Sequence, residues 1–106
     1  MLRVAIRHVN PGHADELRDW LAEANGPRRP EALATLVDEG CTHEKVYLVE
    51  GKDGPVVIYV MEVGDIQASR DAVRSSTHQI DADHQRVIGR AIGDDVPSEL
   101  LLDLRR

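Results

Sequence analysis

Between Cys41 and Gly64 the chain reads CTHEKVYLVEGKDGPVVIYVMEVG, and this stretch constrains the fold more than any other. Two β-rich runs, Lys45–Val49 and Val56–Val63, flank Gly51-Lys52-Asp53-Gly54, a strong turn signal. The second run is apolar at nearly every position, so neither of its sides suits water. Such a strand belongs in the middle of a sheet, covered by helices on one face and by a partner subunit on the other.

The segments around this hairpin supply the rest of an α+β domain. Leu2–Val9 alternates as a half-buried strand, with Leu2, Val4, Ile6 and His8 on one side and Arg3, Ala5, Arg7 and Val9 on the other. By apolar content the first side is expected to face the interior. Asn10-Pro11 then predicts a helix start, with Asn10 as N-cap, and Leu17, Trp20, Leu21 and Ala24 form one apolar stripe. Trp20 in that stripe reads as a core anchor. Gly26-Pro27 interrupts the helix, Pro30 restarts it, and Gly40 is placed to end it in a left-handed cap. After the hairpin, Asp65 can cap a helix that Ser75-Ser76-Thr77 breaks. Asp81 can cap another, in which His84, Val87, Ile88 and Ala91 share a face up to Gly93. Leu100, Leu102 and Leu104 alternate in a last strand over Glu99–Leu104.

The order β-α(α)-β-β-α(α)-β is that of the split βαβ, ferredoxin-like arrangement: a four-stranded antiparallel sheet with helices on one face. Strand one then lies between strands three and four. A chain of 106 residues is one such domain, residues 1–106, and buries roughly 65% of its extended-chain surface. The second sheet face is too apolar to meet water alone, which predicts a homodimer closed sheet to sheet.

Charge and cysteine content exclude several classes. A net charge of −6 argues against a nucleic-acid partner. No apolar run approaches the ~18 residues of a membrane span, and the chain opens in a strand pattern, so neither a membrane segment nor a signal peptide is expected. The lone Cys41 allows no intrachain disulfide and no cysteine-based zinc site, which fits a cytoplasmic protein. Its surroundings suggest no activating neighbour. No phosphate-binding glycine loop or dinucleotide fingerprint is present. The histidines His8, His43, His78 and His84 have no recognised ligand spacing on a helix, so neither a metal nor another cofactor is expected.

The chemistry then rests on histidine and carboxylate. Periodicity sends His8 and His84 to the same helix–sheet interior, where two imidazoles are costly unless bonded or used. Glu44 shares a strand side with Val46 and Leu48, a setting that raises a carboxyl pKa toward acid–base use. His8, Glu44 and His84 are the candidate catalytic residues. Tyr59, Glu62 and Asp81 are candidates to bind a small organic ligand, Asp81 also by standing three residues before His84 on a helix. Each has a plainer structural reading: strand-end or cap residues facing water, and Tyr59 as a sheet or interface aromatic.

The sequences Glu31-Ala32-Leu33-Ala34-Thr35-Leu36-Val37-Asp38-Glu39-Gly40, Tyr59-Val60-Met61-Glu62, and Ser76 with Ile80-Asp81-Ala82-Asp83-His84 resemble a small bacterial and archaeal family of unknown function. That family lies within the dimeric α+β barrel superfamily. Val9-Asn10-Pro11 and Ser98-Glu99-Leu100 more distantly resemble L-rhamnose mutarotases, and the superfamily also holds antibiotic-biosynthesis monooxygenases. The chain lacks the histidine and tyrosine that a mutarotase has after the position of Trp20, and Glu44 replaces a hairpin tyrosine. The resemblance implies a homodimer. It also implies isomerisation, cyclisation or cofactor-free oxygenation of a small molecule, with secondary metabolism as one setting. A noncatalytic ligand-binding or stress-related dimer is the alternative, because a fold alone does not fix a function.

Overall fold

The computed structural model describes all 106 residues. The elements are β1 (Leu2–Val9), α1 (Ala14–Asn25), α2 (Arg29–Glu39), β2 (Cys41–Gly51), β3 (Gly54–Val63), α3 (Ile66–Arg74), α4 (Gln79–Ala91) and β4 (Ile92–Asp95). They form one four-stranded sheet in the order β2-β3-β1-β4, with every neighbouring pair antiparallel. The expected central position of β3 and the place of β1 between β3 and β4 are both observed.

Local chemistry explains most boundaries. α1 and α2 are separated at Gly26-Pro27, and a proline sits in the first turn of α2. Gly40 adopts φ 64°, ψ 28° and donates its N–H to the carbonyls of Leu36 and Val37, so the helix ends in the left-handed cap that glycine permits. β2 and β3 meet around Lys52-Asp53, and Asp65 caps α3 by accepting the Ala68 N–H at 3.0 Å.

Two helix starts differ from expectation. Asn10 does not cap α1, which begins after His13. Instead, Asn10 N–H donates to the Ala91 carbonyl at 2.7 Å and its Nδ2 donates to the Arg90 carbonyl at 2.9 Å. It ties the end of β1 to the end of α4, where carbonyls have no helical partners. Asp81 lies inside α4 rather than capping it; the N-cap is His78, and Asp81 Oδ2 accepts a hydrogen bond from the Ser76 hydroxyl.

The last strand is also displaced. No strand forms over Glu99–Leu104; the fourth strand is β4, directly after α4. Ile92 pairs with Val9 and is buried in the core, so four residues complete the edge of the sheet. Leu100, Leu101, Leu102 and Leu104 extend beyond it and are 72–83% exposed. Their alternation has nothing to pack against within this chain.

The helices cover one face of the sheet. The core joins Val9, Val57 and Ile92 to Leu17 and Trp20 of α1 and to Ile80, Val87 and Ala91 of α4. The register then assigns every strand residue to a side. Val57 and Tyr59 pair with Arg7 and Ala5 of β1 and with Leu48 and Val46 of β2, so these residues face the helices. The opposite, open face carries Leu2, Val4, Ile6 and His8 of β1, His43, Lys45, Tyr47 and Val49 of β2, and Val56, Ile58, Val60 and Glu62 of β3.

The sidedness of β1 is therefore the reverse of that expected from its apolar content. Leu2 and Val4 are 68% and 54% exposed, while Arg3 and Arg7 sit on the helix side. Arg7 is accommodated because Nε and Nη2 donate to the Gly93 carbonyl at 3.0 and 2.7 Å, which carries the charged group out over β4. Val9, at the end of the strand, supplies the core contact.

Candidate functional site

A half-open cavity of about 770 Å³ lies between the β2 edge of the sheet and helices α1, α2 and α4. This is the size range of small-molecule sites. Trp20, Leu21, Leu33, Leu36, Val46 and Ile80 supply apolar wall, Arg29, His43 and Lys45 add basic side chains to the lining, and Glu39, Glu44, Asp81 and His84 supply its carboxyls and a second imidazole. Three of those four were candidates from sequence: Glu44, Asp81 and His84 do converge.

Glu39 is the residue that sequence reasoning missed. It is partly buried at the end of α2, and its carboxyl is pushed up from an ordinary 4.5 to about 7. Burial is the largest cause, followed by the charges of Glu44, Asp81 and Asp38. A signal was available. Asp38 and Glu39 occupy the last turn of α2, where the negative end of the helix dipole disfavours anions, and that turn carries no basic residue of its own. Acids held in an unfavourable place suggest use.

Glu44 enters from β2, on the same sheet side as Val46 and Leu48. Its side chain meets solvent across the cavity mouth, yet the surrounding walls displace enough water to push its carboxyl above the usual range. His84 lies on the cavity side of α4. Burial pushes its imidazole below the usual range, and the Asp81 charge opposes this more weakly. Asp81 is not hydrogen-bonded to His84; its carboxylate is engaged by the Ser76 hydroxyl.

The back wall is braced. Trp20 Nε1 donates to His84 Nδ1 at 2.8 Å, and the Arg28 guanidinium lies 5.6 Å from the centre of the indole ring. Arg28 also donates to Asp83 of α4 at 2.7 Å and to Glu31 at 2.8 Å. Arg28, then Gln79 and Arg86, hold the Asp83 carboxyl down to about 2.

The other candidates lie elsewhere. His8 is exposed on the open sheet face and does not meet His84. The expectation of a shared pocket fails because the β1–β3 register puts His8 beside Val56, opposite the helices. Glu62 is on that open face too, accepting a hydrogen bond from the terminal ammonium of Met1 at 2.7 Å. Tyr59 is on the helix side but packs against the core without lining the cavity. Desolvation, and next the charge of Glu44, push its hydroxyl above the usual range.

The remaining titratable groups have local roles. His78 is bonded to Asp38 at 2.7 Å, joining α4 to α2, and His13 to Glu16 at 2.9 Å. Cys41 is buried with its thiol pushed up, chiefly by burial, a setting that makes it unreactive. No group of three or more His, Cys, Asp or Glu side chains is arranged to hold a metal ion. No helix is long and apolar enough to cross a membrane.

Comparison with known proteins gives a family without an activity. No curated protein and no solved structure matches the chain. A family model described as a family of unknown function, DUF6176, matches residues 2–106, so the chain belongs to that family.

Proposed function

We propose that this protein is a small-molecule enzyme that moves protons in the cavity between its sheet and helices. The observation that carries this reading is the convergence of Glu39, Glu44, Asp81 and His84 on one apolar-walled cavity, with Glu39 raised to about 7. A carboxyl near that value is partly ionised at neutral pH. It can therefore accept a proton and return it within one turnover, which typically contributes ~10²–10⁴-fold to rate. Isomerisation, cyclisation and cofactor-free oxygenation of a small organic molecule all begin with such a step. Glu39 is the proton acceptor in this reading, Glu44 its partner at the mouth, and Asp81 and His84 bind the ligand.

The strand order supports a ferredoxin-like domain of the dimeric α+β barrel type. The open sheet face supports a homodimer, since Leu2, Val4, Tyr47 and Val49 leave an apolar surface that a second copy can cover. The exposed leucines after β4 offer that copy further apolar area.

A panel of small carbonyl compounds, screened by ligand-observed NMR and then assayed for turnover, tests the reading. Ligands should perturb His84 and Trp20, and kcat/KM should show a limb near pH 7 that Glu39→Gln removes. Ligands that bind only the open sheet face, or turnover that survives Glu39→Gln with the limb intact, refute it. The noncatalytic alternative draws on one observation: Asp81 and His84 form no hydrogen-bonded relay. It predicts binding at the same cavity with no conversion of any bound compound.

A further inference from the structure

The hydrogen bond between Trp20 and His84 fixes more than packing. An indole N–H can only donate. His84 Nδ1, 2.8 Å from Trp20 Nε1, must therefore present a lone pair. In a neutral imidazole the proton then resides on the other nitrogen, Nε2. We infer that Trp20 is a positioning residue that holds His84 as its Nε2–H tautomer, so that His84 meets the ligand as a hydrogen-bond donor to oxygen and not as a base.

This rests on the acid–base reading of the cavity and assigns His84 its part in it. The indole is well placed to impose the tautomer because it is itself fixed. It is buried, and Arg28 spans it with a cation 5.6 Å from the ring centre. That cation is anchored at 2.7 Å to Asp83, the residue before His84 on α4. Indole and imidazole are therefore tied to each other twice, once directly and once through Arg28. The rings are 6.1 Å apart at 35°, an approach through the nitrogen-bearing edge and not a stack.

Protonating His84 would turn Nδ1 into a donor facing another donor. The indole thus opposes the imidazolium, and burial acts in the same direction. The carboxylates of the cavity lining are Asp81 on α4 itself, Glu39 at the end of α2 and Glu44 on β2, and its other titratable residues are Arg29 on α2 and His43 and Lys45 on β2. The only lone pair of the neutral ring is occupied by Trp20, so a proton leaving the substrate goes to a carboxylate. The Nε2–H is left to bind an acceptor oxygen. A donor and a carboxylate in one cavity suit a compound with a carbonyl beside an ionisable C–H. The carboxylate takes that proton, the C–H electron pair becomes a C=C bond as the C=O π pair moves onto the oxygen, and Nε2–H holds the resulting enolate. Where a C=C bond is conjugated with that enolate, returning the proton at the far end of the conjugated system shifts the double bond and completes an isomerisation with no net oxidation or reduction.

The test is the ring-nitrogen spectrum of His84 in the full chain, read by long-range ¹H–¹⁵N correlation and assigned with His84→Gln. The expected pattern at pH 7 is an unprotonated Nδ1 and a protonated Nε2. Trp20→Phe keeps a ring but removes the donor, so it should give a mixture of tautomers. A protonated Nδ1 in the unaltered protein overturns the inference, as does an unchanged spectrum in Trp20→Phe. Where Trp20→Phe does not fold, the ¹⁵N–¹⁵N coupling across the bond in the unaltered chain decides: its presence supports the lock and its absence refutes it. These readouts need no substrate. The tautomer can therefore stand while the enzyme reading falls, and turnover can be found in a chain whose tautomer is the other one.

Discussion

Replacing Glu39 with glutamine should make the protein more stable at neutral pH while damaging its candidate site. The shape of the side chain is kept and only the ionisation is removed. In the folded chain the carboxyl is raised from 4.5 to about 7. A group with a raised folded-state pKa lends its full stability below the unfolded value and loses it as pH rises through the folded value. The loss therefore accumulates from pH 4.5 to 7 and stays constant above. At 1.36 kcal/mol per pKa unit, a shift from 4.5 to about 7 sets a ceiling of about 3 kcal/mol. Because Glu39 still meets water at the cavity wall, about 1–2 kcal/mol is the expected size. At about 4–8 °C per kcal/mol for a domain of this length, the change is readily measured. Thermal and urea unfolding of both proteins at pH 5 and pH 8 gives the answer. Glu39→Gln should be close to neutral at pH 5 and stabilising at pH 8. Equal stability at both values, or destabilisation at pH 8, refutes the claim that the fold holds this carboxyl against its ionisation.

Three further outcomes follow from the packing. Trp20→Ala should cost ~3–5 kcal/mol in urea unfolding, because it empties the buried centre of the α1 stripe; a change below 1 kcal/mol would show that the indole is not a core anchor. Val4→Glu puts a charge on the open sheet face without touching the helix-side core, so it should abolish self-association in sedimentation while helix content stays constant. An unaltered chain that is monomeric at micromolar concentration removes the dimer altogether. Asp65→Ala should lose about 1 kcal/mol through the missing cap on Ala68 N–H, and Asp65→Asn should recover most of it.

The elements that could be read from the sequence are those decided by neighbours in the chain. Gly26-Pro27, Gly40, the Lys52-Asp53 turn and the Asp65 cap each act within a few residues, and all stand where local chemistry puts them. The misread features depend on distant partners. Asn10 has the character of a cap, but the free carbonyls of Arg90 and Ala91, eighty residues away, take its hydrogen bonds. The leucines after β4 alternate like a strand, yet Ile92 already fills the sheet edge beside Val9. Glu44, Asp81 and His84 of the candidate site were legible for the same reason, Asp81 by its place one turn before His84. His84 and Glu44 follow from the stripe of α4 and the alternation of β2. Glu39 becomes significant only when the fold brings Glu44 and Asp81 beside it, and His8 leaves the site because β3 dictates which way β1 turns.

That inverted strand makes folding hard to decide early. Judged by its own side chains, β1 is better buried the wrong way round, with Leu2, Val4 and Ile6 inward; a slip of one residue against β3 would achieve this. Beside the bonds of Met1 to Glu62 and Val63 of β3, two contacts reject the slip, the Arg7 grip on the Gly93 carbonyl and the pairing of Val9 with Ile92. The latter two belong to the last strand made. The first strand to be synthesised is thus locally frustrated. Residues 92–95 add their contacts to the register that β3 sets, so the shortest strand in the molecule helps to proofread the first.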